Sequence, residues 1–280
     1  MNKYPLLVLT FLITFSVTAQ SKIKGNRKVT TEERSFEYFS KLEVNDKIEL
    51  ILKQSSSNSL ELEADENLHD VLDTDVKNST LILSLNKRIT SSKRFNMTLY
   101  VEDLDQIILN DDSEVEVPEE LDVFNIEIIL NNKSDIQLDN LKTQLLVLET
   151  NERSKGELRV RTDSLSVKAK ESSRIKLDLI TTGSSIDYNG SATVEIAGKT
   201  EFLKLNASGN AAFKGAELLA ASVHINALDR SDSYVNAKEN ITVDAKNKAK
   251  IYLFNKPEIT LKAFEDNASL LKRESMKLLE

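Results

Sequence analysis

The sequence predicts an all-β fold in which short strands stack as the coils of a parallel solenoid. The first observation is a repeat of 17 to 23 residues that runs from Asn110 to Ser269. The second is the alternation of apolar and polar residues within each repeat, which indicates strands with one buried face. The third is the scarcity of long helical patterns. A sustained period of this length is typical of stacked coils, each of which contacts only its neighbours.

Each repeat opens with a small polar residue that precedes an alternating strand. Asn110-Asp-Asp-Ser113 returns as Asn131-Asn-Lys-Ser134 and as Asn151-Glu-Arg-Ser154. Asparagine and serine suit the corners of a coil because they bond the backbone and tolerate left-handed conformations. We therefore predict a ladder of corner serines. Its members are Ser113, Ser134, Ser154, Ser173, Ser191, Ser208 and Ser231, at spacings of 21, 20, 19, 18, 17 and 23 residues.

Two alternating runs fill each repeat. Leu165-Ser-Val167-Lys-Ala169, for example, precedes Ile175-Lys-Leu177. Stacked in register, such runs give parallel sheets with inward rows of Ile, Leu, Val and Ala. Neighbouring strands lie about 4.8 Å apart, so roughly nine coils make a rod on the order of 40 Å long.

The ends of such a rod need covers, because unpaired strand edges promote aggregation. Residues 36–103 carry more charge and longer loops, and we predict that they form N-terminal capping strands, with a short helical turn at residues 66–72. Residues 104–280 are predicted to be regular coils. Residues 269–279 are expected to close the last coil as an amphipathic helix or a final strand, and a partner-binding helix is the alternative.

The first nineteen residues have the layout of a secretory signal peptide. Lys3 precedes an apolar run over residues 6–17, and Val17-Thr-Ala19 offers a small-residue cleavage site. Twelve apolar residues are too few to span a bilayer comfortably, so a cleaved signal is favoured over an anchor. We expect export to the periplasm, the outer surface or the medium, no membrane insertion after cleavage, and a leader segment at residues 20–35.

The amino-acid composition limits how the chain can be stabilised and which partners it can bind. The chain has no cysteine, so burial and backbone pairing must supply its stability without disulfides. Its net charge of −8 becomes −9 when Lys3 is removed, because 36 basic residues then face 45 acidic ones. No cluster of Lys and Arg is present, so we expect no nucleic acid partner.

Few residues in the sequence suggest a metal-binding or phosphate-binding site. Zinc needs three or four closely placed ligands, and only His69 and His224 are available, so neither is expected to bind metal. The segment from Ser222 to Asn226 alternates, and His224 is expected to face solvent. Gly198-Lys199-Thr200 is similar to the end of a phosphate-binding loop, but a strand pattern follows it, so we interpret it as a turn.

Acidic residues are densest just after the first predicted corner. Several converging carboxylates could bind calcium, and β-helix enzymes that cut acidic polysaccharides use clustered acids. However, Glu114 and Glu116 alternate with Val115 and Val117, which favours a solvated strand face and leaves calcium as the alternative. We predict no catalytic residue, cofactor or metal. The acids concerned are Asp111, Asp112, Glu114, Glu116, Glu119, Glu120 and Asp122.

Aromatic residues recur at related positions of the coils. Tyr188, Tyr234 and Tyr252 could line one face, as sugar-binding grooves do. Packing in the core or at the corners is the favoured interpretation.

Three segments carry a resemblance to a known family: Phe39-Ser-Lys-Leu42-Glu-Val44, Leu60-Glu-Leu62-Glu-Ala64-Asp65-Glu-Asn67-Leu68 and Leu99-Tyr-Val101-Glu-Asp-Leu104. Over about residues 36 to 270, the chain resembles the auto-transporter adhesin head GIN domain family. Members of this family are secreted or surface proteins of Bacteroidota and relatives. The resemblance implies one right-handed, parallel β-helix-like domain at residues 36–280. Glu114, Asp135 and Arg174 stand where the family often has glycine after the corner serine.

These observations lead us to expect a non-enzymatic, exported binding or adhesion surface, with a glycan or a surface protein as partner. One alternative is a polysaccharide lyase or hydrolase built on the same coils. Another is a structural envelope protein that self-associates as a homo-oligomer.

Overall fold

The computed structural model describes residues 21–274. The signal peptide expected at residues 1–19 lies outside this range, and so do residues 275–279 of the expected C-terminal cover. The described chain forms 21 strands and one 3₁₀ helix, Glu66–Val71. The strands that build the N-terminal end are β1 (Lys22–Lys24), β2 (Val29–Ser35), β3 (Lys41–Val44), β4 (Glu49–Gln54), β5 (Ser59–Asp65), β6 (Leu72–Lys77), β7 (Thr80–Leu85), β8 (Arg88–Ser91) and β9 (Phe95–Val101).

The remaining strands build the successive coils. They are β10 (Gln106–Leu109), β11 (Glu114–Asp122), β12 (Asn125–Leu130), β13 (Asp135–Thr150), β14 (Lys155–Ala169), β15 (Arg174–Tyr188), β16 (Thr193–Ala207), β17 (Ala212–Ala227), β18 (Asp232–Ala245), β19 (Lys250–Phe254), β20 (Glu258–Phe264) and β21 (Ser269–Lys272). Except for the last two, β20 and β21, each pairs in parallel with a strand on both sides, as when Ile136 lies opposite Gly156 and Gly156 opposite Ile175. The predicted all-β parallel solenoid is confirmed, with about nine turns.

A coil has two sides that share one core. The first half of β13 pairs with β11, and its second half pairs with β12. Ile136 and Leu138 are buried from the first side, and Leu146 and Leu148 are buried from the second. The long strands therefore bend around one corner, and their alternate residues fill a continuous core.

A tight turn joins one coil to the next. In the turn at residues 131–134, the Ser134 amide donates to the Asn131 carbonyl at 3.1 Å. The second residue of each turn has a left-handed φ between 59° and 74°. This conformation costs least for Gly, Asn and Asp, which hold most of these positions. The second residues are Asp111, Asn132, Glu152, Glu171, Gly190, Gly209, Asp229, Asn247 and Asp266.

The predicted serine ladder is wrong at two of its members. Arg174 pairs with Thr193, so the inward residue that aligns with Ser173 is Ala192, and Ser191 is exposed in the turn. Ser208 likewise opens a turn that Ala211 closes. This turn-closing position requires a small side chain, which is buried in every coil but the last, and a hydroxyl is optional. It is held by Ser113, Ser134, Ser154, Ser173, Ala192, Ala211, Ser231, Ala249 and Ala268, which are 18 to 21 residues apart.

The N-terminal end has a stacking order that differs from the chain order. Strands β3 and β4 form a coil between β10 and β11 on one side and β7 and β9 on the other. Beyond them β5 pairs antiparallel with β9, β2 with β5, and β6 with β7. The 3₁₀ helix occurs where the helical turn was predicted. The coils thus begin inside the segment predicted as capping strands, and the expected leader supplies β1 and β2.

The C-terminal end finishes with a coil made of β19 and β20, and β21 begins a further coil on β19. Of the predicted alternatives for this end, the described part is a strand, β21. The inward residues Ile259 and Leu261 of β20 are 47% and 52% exposed, whereas Ile241 and Val243 of the preceding coil are buried. No helix within residues 21–274 is long and apolar enough to cross a membrane.

Candidate ligand groove on the outer face

One outward side chain from each coil forms a row on the sheet that contains the first side of every coil. We call this the outer row. Because the strands stack in register, its neighbours are a strand spacing apart, about 4.8 Å. The outer row comprises Glu116, Gln137, Glu157, Lys176, Glu195, Lys214, Tyr234, Tyr252 and Leu271.

Charges alternate in the middle of the outer row. Lys176 Nζ lies 2.6 Å from Glu157 Oε1, and Lys214 Nζ lies 3.5 Å from Glu195 Oε2. The hydrogen bond to Glu157 raises the pKa of Lys176. These ion pairs are solvent-exposed, so each contributes little to stability and remains free to exchange with a ligand.

Two tyrosines follow the charged pairs. The rings of Tyr234 and Tyr252 are stacked, with centroids 4.4 Å apart and planes 15° apart. The Arg273 guanidinium lies 4.9 Å from the Tyr252 centroid, a cation–π distance. Tyr252 is therefore covered on both faces. On the other side of Tyr234 from Tyr252, the next residue of the row is Lys214.

A groove of about 370 Å³ opens beside this free face of Tyr234. Ala197 and Ala216 keep it open because their side chains are small. Five of the ten lining residues are charged. The groove is lined by Lys176, Leu177, Asp178, Glu195, Ile196, Ala197, Lys214, Ala216, Glu217 and Tyr234.

An irregularity in the strands shapes the groove. The pairing of β16 with β17 shifts between Glu195 and Gly198. Gly198 has φ of +119°, and a Cβ there would lie 1.9 Å from the Leu179 carbonyl oxygen. Only glycine fits this backbone position, so Gly198 maintains the bulge that sets Ala197 and Ala216 in the groove floor. The interpretation of Gly198-Lys199-Thr200 as a turn is wrong, because the three residues lie within β16.

A second depression, of about 400 Å³, adjoins the groove along the outer row and shares Lys176, Glu195 and Lys214 with it. Asp135 lies at its far end, where burial raises the pKa of the carboxyl group against the opposing effect of Lys155. The two depressions together form a long surface that carries charged side chains and has Tyr234 at one end.

The prediction that the three tyrosines pack in the core or at the corners holds for one of them. Tyr234 and Tyr252 lie together on the outer face, where sequence reasoning had favoured packing. Tyr188 is buried in the core, 1% exposed, and its ring packs against Phe213 with centroids 5.9 Å apart.

The acidic residues after the first corner divide among different partners. Asp112 pairs with Lys133, Glu119 with Lys53, and Asp122 with Lys142. The Asp111 carboxylate accepts from the Asp46 amide at 3.3 Å and the Asn132 side-chain amide at 3.1 Å. Across residues 21–274, no group of three or more His, Asp or Glu is arranged to hold a metal ion.

The two histidines occupy different environments. His69 is nearly buried in the 3₁₀ helix, where Nε2 lies 2.9 Å from Thr30 Oγ1 and Nδ1 lies 3.0 Å from Glu32 Oε2. His224 lies on a strand with its side chain 40% exposed, as predicted, 3.9 Å from Asp244.

Sequence reasoning missed a threonine ladder at the corner opposite the turns. Thr143, Thr162, Thr181 and Thr200 recur every nineteen residues. The Thr162 hydroxyl lies 2.9 Å from both the Gln144 and Ser164 carbonyl oxygens. Each threonine hydroxyl thus forms hydrogen bonds with backbone carbonyl groups where the strand bends at the corner. The constant nineteen-residue spacing was the signal that could have revealed it.

Stacked coils of this kind define the class of parallel β-solenoid proteins. The sequence profile of the family described as "Putative auto-transporter adhesin, head GIN domain" matches residues 38–159 and 146–257. The chain belongs to this family. No curated protein matches the sequence.

Solved structures show the same fold. A putative adhesin from Parabacteroides merdae has a TM-score of 0.66 at 16% identity, over 90% of this chain and 99% of that one. A putative adhesin from Parabacteroides distasonis has a TM-score of 0.68 at 16% identity, over 90% and 100%. A putative lipid binding protein from the same organism has a TM-score of 0.59 at 16% identity, over 90% and 97%.

Proposed function

We propose that this chain is an exported, non-enzymatic binding protein of adhesin type that holds a glycan in the groove beside Tyr234. The single observation that carries the proposal is the position of the Tyr234 ring, which closes one end of a groove whose walls are charged. Family membership supports a location at the cell surface or outside the cell.

The groove offers the two kinds of contact that a sugar needs. The apolar C–H face of a pyranose can lie flat on the free face of Tyr234, because an aromatic ring presents a broad apolar surface. Tyr252 and Arg273 stack behind this ring and fix its orientation. An ordered ring loses little conformational freedom when a ligand binds.

The charged side chains supply hydrogen bonds to hydroxyl groups. Carboxylates of Asp178, Glu195 and Glu217 accept, and the ammonium groups of Lys176 and Lys214 donate. Hydrogen bonds with one charged partner are stronger than neutral ones. Both charge signs are present in nearly equal number, so the groove suits a neutral glycan better than a polyanion.

Binding without cleavage is the favoured outcome. A general acid that works near neutral pH is usually a carboxyl group whose surroundings keep it protonated. Glu195 is instead half exposed and faces Lys214, and Glu157 in the same row faces Lys176. Neither carboxylate is therefore shielded from solvent as such an acid usually is.

A glycan array with the purified 20–280 chain, with and without calcium, tests the proposal. Binding to at least one neutral glycan without release of shorter products is expected. Replacing Tyr234 with Ala should weaken that binding by roughly tenfold or more, since aromatic anchors contribute on the order of 1–3 kcal/mol. Tyr38→Ala is the matched control, because Tyr38 is 60% exposed near the opposite end of the rod.

Two results would contradict the proposal. Equal affinity of the wild type and Tyr234→Ala for every bound glycan would show that the groove does not bind glycans. Shortened glycan products would establish an enzyme and direct attention to the carboxylates of the groove walls.

A further inference from the structure

A second groove follows the corner that carries the threonine ladder, and we call it the corner groove. It has a volume of about 1000 Å³ and extends along the rod over several coils. Thr143, Thr162 and Thr181 are among the residues that line it. The corner groove shares no lining residue with the groove beside Tyr234, so a ligand bound here is additional to the proposed glycan.

The large apolar side chains that the coils expose lie at this corner. Among residues 106–245, the exposed ones are Phe124, Ile180 and Phe202, at 67%, 55% and 60%. Phe124 and Ile180 line the corner groove, and Phe202 follows Glu201, which lines its end. Single exposed apolar residues are ordinary, but a group of them confined to one surface marks a site of association with another molecule.

A glycine leaves open space beside one of these rings. Gly183 lies directly opposite Phe202 on the neighbouring strand. A Cβ at Gly183 would meet no atom within 4 Å, and Gly183 does not have a left-handed φ. Neither packing nor backbone conformation therefore requires glycine, although glycine weakens the interior of a strand. Such a glycine is typical of a place where a ligand approaches closely, and the space over Gly183 can receive one apolar side chain.

Carboxylates outnumber cationic groups in the corner groove. Five acidic and two basic residues line it, which gives a net charge of −3 (2 − 5). One of the two basic residues, Lys142, is already paired with Asp122. The groove therefore favours a partner that carries positive charge.

A carboxylate accompanies the apolar residues at each end of the corner groove. Glu201 precedes Phe202 in the chain. At the other end, the Gln54 side-chain amide donates to the backbone carbonyls of Asp122 at 2.9 Å and Glu102 at 3.4 Å, which brings Glu102 to that end. Within residues 21–274, the carboxylates of Glu102 and Glu201 form no ion pair, so both are available to a cationic ligand.

We propose that the corner groove binds an extended, cationic segment of a protein partner, which places one apolar side chain at each end of the groove. Phe124 adjoins β12, and Ile180 and Phe202 lie three and four strands further along the stack, on β15 and β16. With about 4.8 Å between strands and about 3.3 Å per extended residue, the two apolar side chains of the segment are roughly four to six residues apart. Basic residues next to them face Glu102 and Glu201.

Charge distinguishes this occupant from a second copy of the chain. The chain has a net charge of −8, so a second copy would bring further negative charge to an acidic groove. A cationic segment instead neutralises the groove, and such complementarity increases specificity and the rate of association. The apolar side chains at the two ends then act as the buried anchors of the interface.

Fluorescence polarisation with the 20–280 chain and labelled peptides tests the proposal. Each peptide has a Gly/Ser host sequence, two Leu anchors at one of a series of spacings, and a Lys next to each anchor. We expect the strongest binding when the anchors are about four to six residues apart. Replacing both Lys residues of the peptide with Glu should weaken binding by about tenfold or more, and the double variant Glu102→Lys/Glu201→Lys should reverse this preference.

Three variants connect the binding to the space over Gly183. Gly183→Val should weaken binding of the best peptide by about tenfold because it fills that space, yet raise the melting temperature by about 2 °C because valine favours strands. Ser185→Val adds the same side chain two positions further along β15 and should leave binding unchanged. Tyr234→Ala should also leave it unchanged, because Tyr234 does not line the corner groove.

Three results overturn the proposal: failure of every peptide to bind, an affinity that does not depend on anchor spacing, or unchanged binding by Gly183→Val. A doubling of the mass of the chain in light scattering that Gly183→Val abolishes would contradict it as well, and would assign the corner groove to a second copy. The glycan site is tested separately, since Gly183→Val should leave glycan binding intact.

Discussion

The hydroxyl groups of Tyr188 and Ser233 lie 2.6 Å apart inside the core, although 45 positions separate the two residues in the chain. Tyr188 ends β15 and Ser233 lies in β18, so this hydrogen bond spans the two intervening coils, β16 and β17. Burial raises the pKa of Tyr188, and the bond to Ser233 opposes part of that effect. A polar contact in a mainly aliphatic core thus helps to fix the relative position of distant coils.

Replacing Tyr188 with Phe should lower the free energy of unfolding by about 1–2 kcal/mol, because the buried Ser233 hydroxyl loses its partner. Urea denaturation measures the change. The double variant Tyr188→Phe/Ser233→Ala should recover part of the loss, since no hydroxyl is then left unpaired. If the double variant loses as much free energy of unfolding as the two single variants together, the hydrogen bond contributes nothing to stability.

Asp65 anchors the N-terminal end and should make it sensitive to acid. Its carboxylate accepts from the backbone amides of Arg27 and Lys93 at 3.1 Å and of Arg94 at 3.3 Å. Burial alone would raise the pKa of Asp65, but the three amide bonds outweigh burial and lower it below 3.8. The stabilisation from this group is therefore complete above pH 3.8 and is lost as the pH falls through the lower pKa of the folded state.

Replacing Asp65 with Asn should consequently reduce the free energy of unfolding at pH 7 and have a smaller effect at pH 2. Denaturation at both pH values measures the difference. Asp70→Asn is the control, because Asp70 is an exposed residue of the adjacent 3₁₀ helix. The same loss at both pH values would show that ionisation of Asp65 contributes nothing.

An asparagine ladder stabilises the first turns. Asn110 donates to Asn45 at 2.8 Å, Asn131 to Asn110 at 2.8 Å, and Asn151 to Asn131 at 2.9 Å. Asn131→Ala removes two of these bonds and Asn151→Ala removes one. We expect a loss of about 1–2 kcal/mol for Asn131→Ala and about half of that for Asn151→Ala, measured by thermal unfolding. A larger loss for Asn151→Ala would refute the ladder.

Glu152 holds a left-handed turn conformation with φ of 59°. Glycine adopts this conformation without steric cost, so Glu152→Gly should stabilise the fold by up to about 1 kcal/mol. Glu157→Gly is the matched control within strand β14 and should destabilise the fold. The melting temperatures of the two variants should therefore shift in opposite directions.

The coils could be predicted because their inward rows alternate and recur. Ser191 and Ser208 were misplaced because the turn-closing position selects for small size, and Ala192 and Ala211 satisfy that requirement without a hydroxyl. The order of the N-terminal strands could not be predicted, since local alternation does not specify which distant strands pair.

The groove was also only partly predictable. Tyr234 and Tyr252 are eighteen residues apart, close to one coil, which brings them to the same row. Whether that row faced inward or outward depended on the register. The bulge at Gly198 and the small residues of the groove floor have no local signal that distinguishes them from an ordinary strand.

The position of β3 and β4 between later strands has a consequence for how the chain can fold as it emerges from synthesis or export. These two strands gain both neighbours only after residues 95–101 and 114–122 have followed them. The amino-terminal end therefore cannot be completed one coil at a time in chain order. Once about 120 residues are available, each later coil can add to a finished surface, so early folding is a single long-range event and the rest is sequential growth.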